Sequence, residues 1–422
     1  MHWPSAFQFG CSALALVFLV SGAWLLWMIG FSAAFASNWA SLEPLSALLM
    51  AASFFGVALL LFPSAYYALL RLLNKPAPDL RAFLRHSHPA LWIWIFPWVI
   101  LIGFLASQTA ITSILILPVF HLFGVGLPIG WVVYLATRNL PLGSPQRMWG
   151  VFGCGLVLAP AMISILEGLA VLGMILLGAI YVSTQPALMT KLMNLMETAQ
   201  YAPPAPEEIM QIFGPYLLKP GFILAALALG AVIVPLIEEA VKPIGVWLLV
   251  GRPLSARAGF AAGALSGAGF AFSESLLLTS NGTDWASLVV VRLGTGAIHI
   301  FTTALMGWAL AVAWKRGHYH RLGAAYLCAV TIHGLWNGLT ILTVFDQLSR
   351  MLGEGAYSLL IGRAALIAPA ALIMLAVGAL GLLVFFNRRL TARRPTAEAL
   401  GDPLTAASMA ADPETQPGEK ML

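Results

Sequence analysis

The sequence contains very little charge. Only 9% of its 422 residues are Asp, Glu, Lys or Arg, whereas 60% are hydrophobic, and the mean hydropathy is +0.88. Soluble domains carry about a quarter charged residues, so this composition excludes an ordinary soluble domain and is typical of a protein embedded in lipid. The basic residues lie in short segments between apolar runs, and no nucleic acid is expected as a partner.

Cysteine is also scarce. The three cysteines, Cys11, Cys154 and Cys328, lie in separate apolar stretches without a CxxC spacing. This distribution favours neither a disulfide framework nor a thiolate metal site.

Long apolar runs dominate instead. A helix needs about 20 apolar residues to cross a bilayer. We therefore predict an all-α polytopic membrane protein with about ten transmembrane helices. The predicted spans are 11–35, 45–70, 90–109, 112–137, 150–182, 217–250, 256–279, 285–314, 322–345 and 356–386.

Basic clusters follow the even-numbered spans, and Lys and Arg accumulate on cytoplasmic loops. Isolated basic residues on the other side, such as Lys191 and Lys219, weaken this pattern without reversing it. We therefore expect the N- and C-termini to be cytoplasmic. The clusters are Arg71 to Arg85, Arg138 and Arg147, Arg252 and Arg257, Lys315 to Arg321, and Arg388 to Arg394.

Titratable residues are concentrated in the second half of the chain. In the first five spans, only Glu167 and His121 are such groups, and we interpret His121 as structural. We divide the chain into a five-helix region 1–182, an extracytoplasmic amphipathic and Pro-rich loop 183–216, a four-helix core 217–345, a final transmembrane helix 346–386, and a disordered cytoplasmic tail 387–422.

Span six carries three charged residues within little more than one helical turn. A charge inside a membrane costs roughly 2.5–3.5 kcal/mol, so such residues usually serve a function. Glu238 and Lys242 are spaced i, i+4 and could form a structural ion pair, but this leaves Glu239 unexplained. Pro235 and Pro243 have no N–H, so they leave carbonyls free beside these carboxylates.

The next three spans add further polar groups at membrane depth. Span seven has a stripe of glycines, which favours close helix packing, followed by a third carboxyl. Carboxyls that lie close together in an apolar region cannot all ionise, so one is expected to act as an acid and another as a base. The added residues are Phe270 and Glu274 on span seven, Arg292 and His299 on span eight, and His333 and Asn337 on span nine.

These residues form an ordered series that resembles a known family. EEAVK at 238–242, FAFSE at 270–274, His299 and HGLWN at 333–337 are similar to the EExxK, FxxxE, H and HxxxN motifs of PrsW-type proteases. That family belongs to a group with the CAAX prenyl proteases and the scaffold subunit of gamma-secretase. CAAX-type members usually have His where this chain has Glu274, so the PrsW branch is favoured. The resemblance covers residues 217–345.

The resemblance implies an intramembrane endopeptidase that uses a glutamate-activated water. Glu239, or alternatively its neighbour Glu238, would be the general base, and Glu274 would hold or relay a proton. His299, His333 and Asn337 would bind the water or the oxyanion, and the supporting residues would be Lys242, Phe270 and Arg292. The implied substrate is a transmembrane protein, such as an anti-sigma-factor-like regulator, and the implied location is a bacterial inner membrane.

Three alternatives remain at this point. No cofactor is expected, but His299, His333 and Glu239 could hold Zn²⁺ with an open position for water, although the chain has no HExxH helix. A non-catalytic membrane scaffold would use the same residues for packing. A proton-coupled transporter is disfavoured because the two halves show no internal repeat. The sequence predicts no oligomeric state.

Overall fold

The described part of the chain is helical throughout and contains no strand. The computed structural model describes residues 2–38, 44–78, 89–200, 206–280, 282, 284–352 and 358–392. Within these ranges, ten helices are long and apolar enough to span a membrane, which confirms the predicted all-α fold with ten spans. Spans one to ten are Trp3–Ala36, Leu45–Leu72, Pro89–Ala106, Ala110–Thr137, Pro145–Ser183, Pro220–Trp247, Ala256–Leu277, Asp284–Arg316, Tyr319–Leu352 and Ile361–Ala392.

Several spans contain more than one helical segment. Span three begins with a 3-10 turn and span ten with an additional turn from Ser358, and spans five and six each contain a π-helical segment. Two shorter helices lie between spans five and six. The bounds are Pro89–Leu91 and Trp92–Ala106; Pro145–Gly153, Cys154–Leu158 and Ala159–Ser183; Pro186–Ala199 and Pro206–Leu217; Pro220–Leu227, Ala228–Ile233, Val234–Val241 and Ile244–Trp247; and Ser358–Ala392.

The end of the chain differs from the prediction. The last helix continues to Ala392, beyond the expected boundary at residue 386. The rest of the predicted tail, residues 393–422, and two basic-cluster residues, Arg81 and Arg85, lie outside the described residues. The sidedness of the termini stays a prediction.

Spans seven and eight form the centre of the helix bundle. In the most apolar stretch of span seven 89% of the residues are buried, against 11% for span six. The predicted glycine stripe allows this packing: a Cβ on Gly263 would collide with the carbonyl oxygen of Thr303, and a Cβ on Gly267 would lie 2.7 Å from that of His299. Small residues therefore bring the two backbones into direct contact.

Span five packs against the other face of span seven. A Cβ on Gly155 would collide with the carbonyl oxygen of Ser266, and one on Gly269 would collide with that of Phe152. Gly155 belongs to the π-helical segment, where the wider turn brings the span five backbone against span seven. Span five is thus in direct contact with the four-helix core predicted at 217–345.

His121 has the structural role expected for it. Its Nε2 lies 3.0 Å from the carbonyl oxygen of Leu276, to which the hydroxyl of Ser53 also donates a hydrogen bond. The last turn of span seven, which carries Glu274, is therefore held by side chains of spans two and four.

Candidate active site

The break in span six positions its charged residues. Pro235 has no N–H to donate to the preceding turn, and side chains of span nine bind one backbone carbonyl before it and one after it. Asn337 Nδ2 donates to the carbonyl oxygen of Gly230 at 2.9 Å, and the Tyr326 hydroxyl donates to that of Leu236 at 2.7 Å. The helical segment Val234–Val241 that follows directs Glu238 and Glu239 into the bundle, where both are buried.

The ammonium group of Lys242 lies at the centre of the site. Its Nζ is 2.6 Å from Glu239 Oε1, 3.0 Å from Glu238 Oε2 and 2.8 Å from His299 Nδ1. The ammonium group therefore hydrogen-bonds to Glu239 and His299 and forms an ion pair with Glu238. The backbone is fixed as well, because the hydroxyl of Ser266 donates to the carbonyl oxygen of Lys242 at 2.6 Å.

His299 is held from both sides. Its Nε2 lies 2.7 Å from Glu274 Oε2, and the same carboxylate oxygen contacts Arg292 Nη2 at 2.5 Å. Because Glu274 and Arg292 form an ion pair, Nε2 donates to the carboxylate and Nδ1 accepts from Lys242. Both hydrogen bonds therefore require the same neutral tautomer of His299, with its proton on Nε2. The Glu274 side chain is 36% exposed and lies at the margin of the site.

His333 completes the cluster from span nine. Its Nδ1 is 2.9 Å from Glu239 Oε1 and 3.3 Å from Lys242 Nζ. One nitrogen cannot donate to the carboxylate and accept from the ammonium group at once, and the shorter distance favours donation to Glu239. Nε2 then keeps a free lone pair, at 3.9 Å from Glu238 Oε2.

An aromatic ring closes one side of the cluster. The Phe270 ring meets His299 edge-on with centroids 5.1 Å apart, and its centroid lies 5.0 Å from Lys242 Nζ. The rings of His299 and His333 are also 5.1 Å apart and nearly perpendicular. This apolar wall lowers the local dielectric and strengthens the attraction between the charged groups.

Eight of the nine site residues predicted from the sequence lie together in this cluster. The ninth, Asn337, instead satisfies a backbone carbonyl of the π-helical segment. One contributor to the site was not predicted. Ser266, whose hydroxyl donates to the carbonyl oxygen of Lys242, has no distinctive signal in a run of small residues.

The family comparison agrees with this geometry. Residues 144–368 match the sequence model of a family described as PrsW family intramembrane metalloprotease, which is more than half of the chain. The chain belongs to this family. The PrsW assignment makes the protein a multi-pass intramembrane peptidase, and its substrates are transmembrane proteins in a lipid bilayer. No curated protein and no solved structure matches the chain.

The matched region is longer than the resemblance predicted from the motifs. It begins at residue 144 rather than 217, so it includes all of span five. This extension agrees with the direct backbone contact between spans five and seven. The first four spans lie outside the matched region.

The family description implies a metal ion, and the buried side chains fit one. Glu238, His299 and His333 each offer one ligand atom, and these atoms lie within 4.8 Å of one another. Two imidazole nitrogens and a carboxylate oxygen form a donor set that Zn²⁺ binds in catalytic sites. The sequence prediction had Glu239 as the third ligand. In the structure Glu239 Oε1 is occupied by Lys242 and His333, and Glu238 takes that position.

The ammonium group of Lys242 contacts the same donors. It lies within 3.3 Å of both histidines and both glutamates. An ion bound by Glu238, His299 and His333 would compete with this group for its partners. The ammonium group of Lys242 therefore occupies the position on which the three metal-ligand candidates converge.

Proposed function

We propose that this PrsW-family peptidase is an endopeptidase that cleaves transmembrane proteins with a water molecule activated by a glutamate. The observation that supports the proposal is the convergence of Glu238, Glu239 and His333 around the ammonium group of Lys242, with His299 and Glu274 behind it. Burial of carboxylates inside a membrane-spanning segment costs free energy, so such residues usually serve a function.

Glu238 is the better candidate for the general base. Glu239 is fully buried and its Oε1 is held by Lys242 and His333, so it serves to fix those two residues. Neither Glu238 Oε2 nor Glu239 Oε2 has a hydrogen-bond donor in good geometry among the described residues, but the Glu238 side chain is 9% exposed and that of Glu239 is fully buried. A base needs a free oxygen within reach of the water that it deprotonates.

The attacking water would lie between Glu238 Oε2 and His333 Nε2. These atoms are 3.9 Å apart, which is too long for a direct hydrogen bond. A water molecule donates one proton toward each acceptor in such a gap. His333 can accept the second hydrogen bond at Nε2, because its own proton is on Nδ1, where it binds Glu239.

The reaction then follows general base catalysis. The water oxygen attacks the carbonyl carbon of the scissile peptide bond while Glu238 takes one of the water protons. The positive charge of Lys242 stabilises the negative charge that develops on the carbonyl oxygen. The C–N bond breaks, and the proton held by Glu238 passes to the leaving amine nitrogen. Glu274 and Arg292 keep His299 oriented toward Lys242 throughout.

Zinc-dependent hydrolysis is the second candidate. The specific observation in its favour is the donor set of Glu238, His299 and His333. Bound zinc would lower the pKa of a water molecule and polarise the scissile carbonyl. Glu239 and Glu274 would then orient the two histidines through the hydrogen bonds already described.

A cleavage assay with purified protein in liposomes tests the proposal. The substrates are a panel of tagged single-span membrane proteins that includes an anti-sigma-factor-like regulator, in lipids of a bacterial inner membrane, the location that we propose. We expect wild type to cleave a panel member, and Glu238→Gln, Glu274→Gln and His333→Ala to lose cleavage at equal protein level. Glu197→Gln, on the exposed surface helix Pro186–Ala199, is the matched control. Folded wild type that cleaves no member would favour the scaffold alternative.

A chelator separates the two candidates. Cleavage that persists after treatment with 1,10-phenanthroline and removal of bound metal supports glutamate-activated water without a metal. Loss of cleavage together with loss of one zinc ion per chain, restored by added zinc, supports the second candidate. Elemental analysis of His333→Ala gives an independent measure, because removal of a ligand weakens zinc binding.

A further inference from the structure

The seam between spans six and nine is closed on one side of the charged cluster and open on the other. On the closed side, a Cβ on Gly334 would collide with the carbonyl oxygen of Ala231, so the two backbones are in direct contact. The Tyr326 hydroxyl then joins the spans through its hydrogen bond to the carbonyl oxygen of Leu236. Past this hydrogen bond, a groove separates the two spans.

The groove has a volume of about 350 Å³ and an apolar lining. Met306 of span eight, which is buried, lies at its base, and Ala240 and Trp247 line it from span six. The indole N–H of Trp247 donates to the carbonyl oxygen of Ala240 at 3.2 Å, so the polar edge of this ring is paired within its own span. On the span nine side, a Cβ on Gly323 would meet nothing within 4 Å, so the groove opens outward there.

The groove is continuous with the active-site segment of span six. Ala240 directly follows Glu239 in the helical segment Val234–Val241. Tyr326 borders both regions, because its ring lines the groove while its hydroxyl binds a carbonyl of that segment. Tyr326 precedes His333 by seven residues, which is about 10 Å along a helix axis. An occupant of the groove therefore lies against the backbone that carries the two glutamates.

The chemistry of the groove suits an apolar helix. Its lining contains no charged side chain, and its small residues Ala240 and Gly323 allow another backbone to approach closely. The substrates of this peptidase are transmembrane proteins, which reach the site from the surrounding lipid. A lipid tail gains little by leaving the bilayer for an apolar groove, whereas a helix gains van der Waals packing against its walls.

We propose that the groove between spans six and nine docks the transmembrane helix of the substrate on one side of the scissile bond. This inference rests on the proposed function, in which the neighbouring cluster cleaves that helix. The docked side chains lie about 10 Å from the reacting groups, a distance of about seven residues in a helical substrate or about three in an extended one. The groove thereby selects substrate side chains at a fixed distance from the cleavage point.

Photo-cross-linking tests the docking directly. The probe is p-benzoylphenylalanine in place of Tyr319, a 62% exposed residue of the groove lining, in the Glu238→Gln variant, which retains uncleaved substrate. The matched control carries the probe in place of Phe385, which is 51% exposed near the end of span ten, on the same side of the bilayer as the start of span nine. In liposomes that contain a substrate cleaved by wild type, we expect the Tyr319 probe to capture that substrate and the Phe385 probe to capture lipid. Capture of lipid alone by the Tyr319 probe would overturn the proposal.

A variant that fills the groove tests its contribution to cleavage. Gly323→Trp adds a large side chain where the Cβ has open space, and Gly378→Trp, on span ten, does so at an equally open position outside the groove. For Gly323→Trp we expect KM to rise at least about fivefold with kcat within about twofold of wild type, because docking away from the reacting groups stabilises the ground state and the transition state alike. Gly378→Trp should match wild type in both constants. Equal KM values for the two variants would contradict the docking, and the cross-linking result does not depend on the folding of either.

Capture and cleavage are separate measurements, so the two claims can fail separately. If wild type cleaves no member of the panel, the proposed function fails, while the Tyr319 probe still decides whether the groove binds transmembrane helices. If wild type cleaves a member that the Tyr319 probe does not capture, only the docking proposal fails.

Discussion

Nζ of Lys242 donates a hydrogen bond of 2.8 Å to Nδ1 of His299, a residue 57 positions away in the sequence. This bond joins span six to span eight, and it determines the chemistry of both residues. His299 must present a lone pair to the ammonium group, so its proton is on Nε2, where Glu274 accepts it. Lys242 thus links both glutamates of span six to the pair formed by His299 and Glu274.

Removal of the ammonium group should destabilise the fold. Lys242→Met leaves two adjacent buried carboxylates without their cation, and breaking a buried ion pair costs about 3–5 kcal/mol. We expect a large fall in Tm for detergent-solubilised protein. Lys191→Met, on the exposed surface helix, provides the control and should leave Tm close to that of wild type. A Lys242→Met variant as stable as the control would contradict the central position of the ammonium group.

The two adjacent glutamates should respond differently to the same substitution. Glu239→Gln weakens the bonds to Lys242 and His333, so we expect lower Tm as well as lower activity. Glu238→Gln removes the proposed base, so we expect kcat to fall about 10²- to 10⁴-fold with a smaller change in Tm. Paired measurements of unfolding and cleavage check this. The reverse order of effects would make Glu239 the base.

Asn337→Ala should act mainly through stability. Its side chain satisfies the carbonyl of Gly230 in the π-helical segment, and loss of such a hydrogen bond costs about 1 kcal/mol. We expect a modest decrease in Tm and a smaller loss of kcat per folded molecule than for Glu238→Gln. An Asn337→Ala variant with normal Tm and abolished cleavage would instead indicate direct contact with the reacting groups.

The glycine crossing of spans seven and eight should tolerate no side chain. Gly263→Ala places a Cβ against the backbone of Thr303, where no flexible group can move aside. We expect poor folding yield and, in any folded fraction, a Tm well below that of wild type. Gly323→Ala is the control, since its Cβ meets nothing within 4 Å. Equal yields and Tm values for the two variants would argue against the close crossing.

Sequence and structure agree where a physical signal is strong and local. Apolar runs of bilayer length identify all ten spans, and charges inside those runs identify Glu238, Glu239, Lys242, Glu274 and His299. The hydrogen bonds from Asn337 to Gly230 and from Ser266 to Lys242 were not predicted. Both depend on which span faces which, and helical periodicity within one span does not report its neighbour.

The π-helical segments illustrate the same limit. The prolines of span six predicted free carbonyls, and the structure adds that Asn337 and Tyr326 of span nine bind two carbonyls in this region. In span five Pro160 follows the segment Cys154–Leu158 by two residues, as Pro235 follows Ala228–Ile233 in span six. The sequence of span five alone does not show that this turn lies against the backbone of span seven.

The site residues are carried by spans that differ greatly in burial. His299 and Glu274 lie on spans eight and seven, whose backbones are in direct contact through glycine. These two spans form the closely packed centre of the bundle. Glu238, Glu239 and Lys242 belong to the proline-broken span six, in whose most apolar stretch only 11% of the residues are buried. We therefore expect a substrate helix to be admitted by movement of span six, because displacing span seven or span eight would break the glycine crossing.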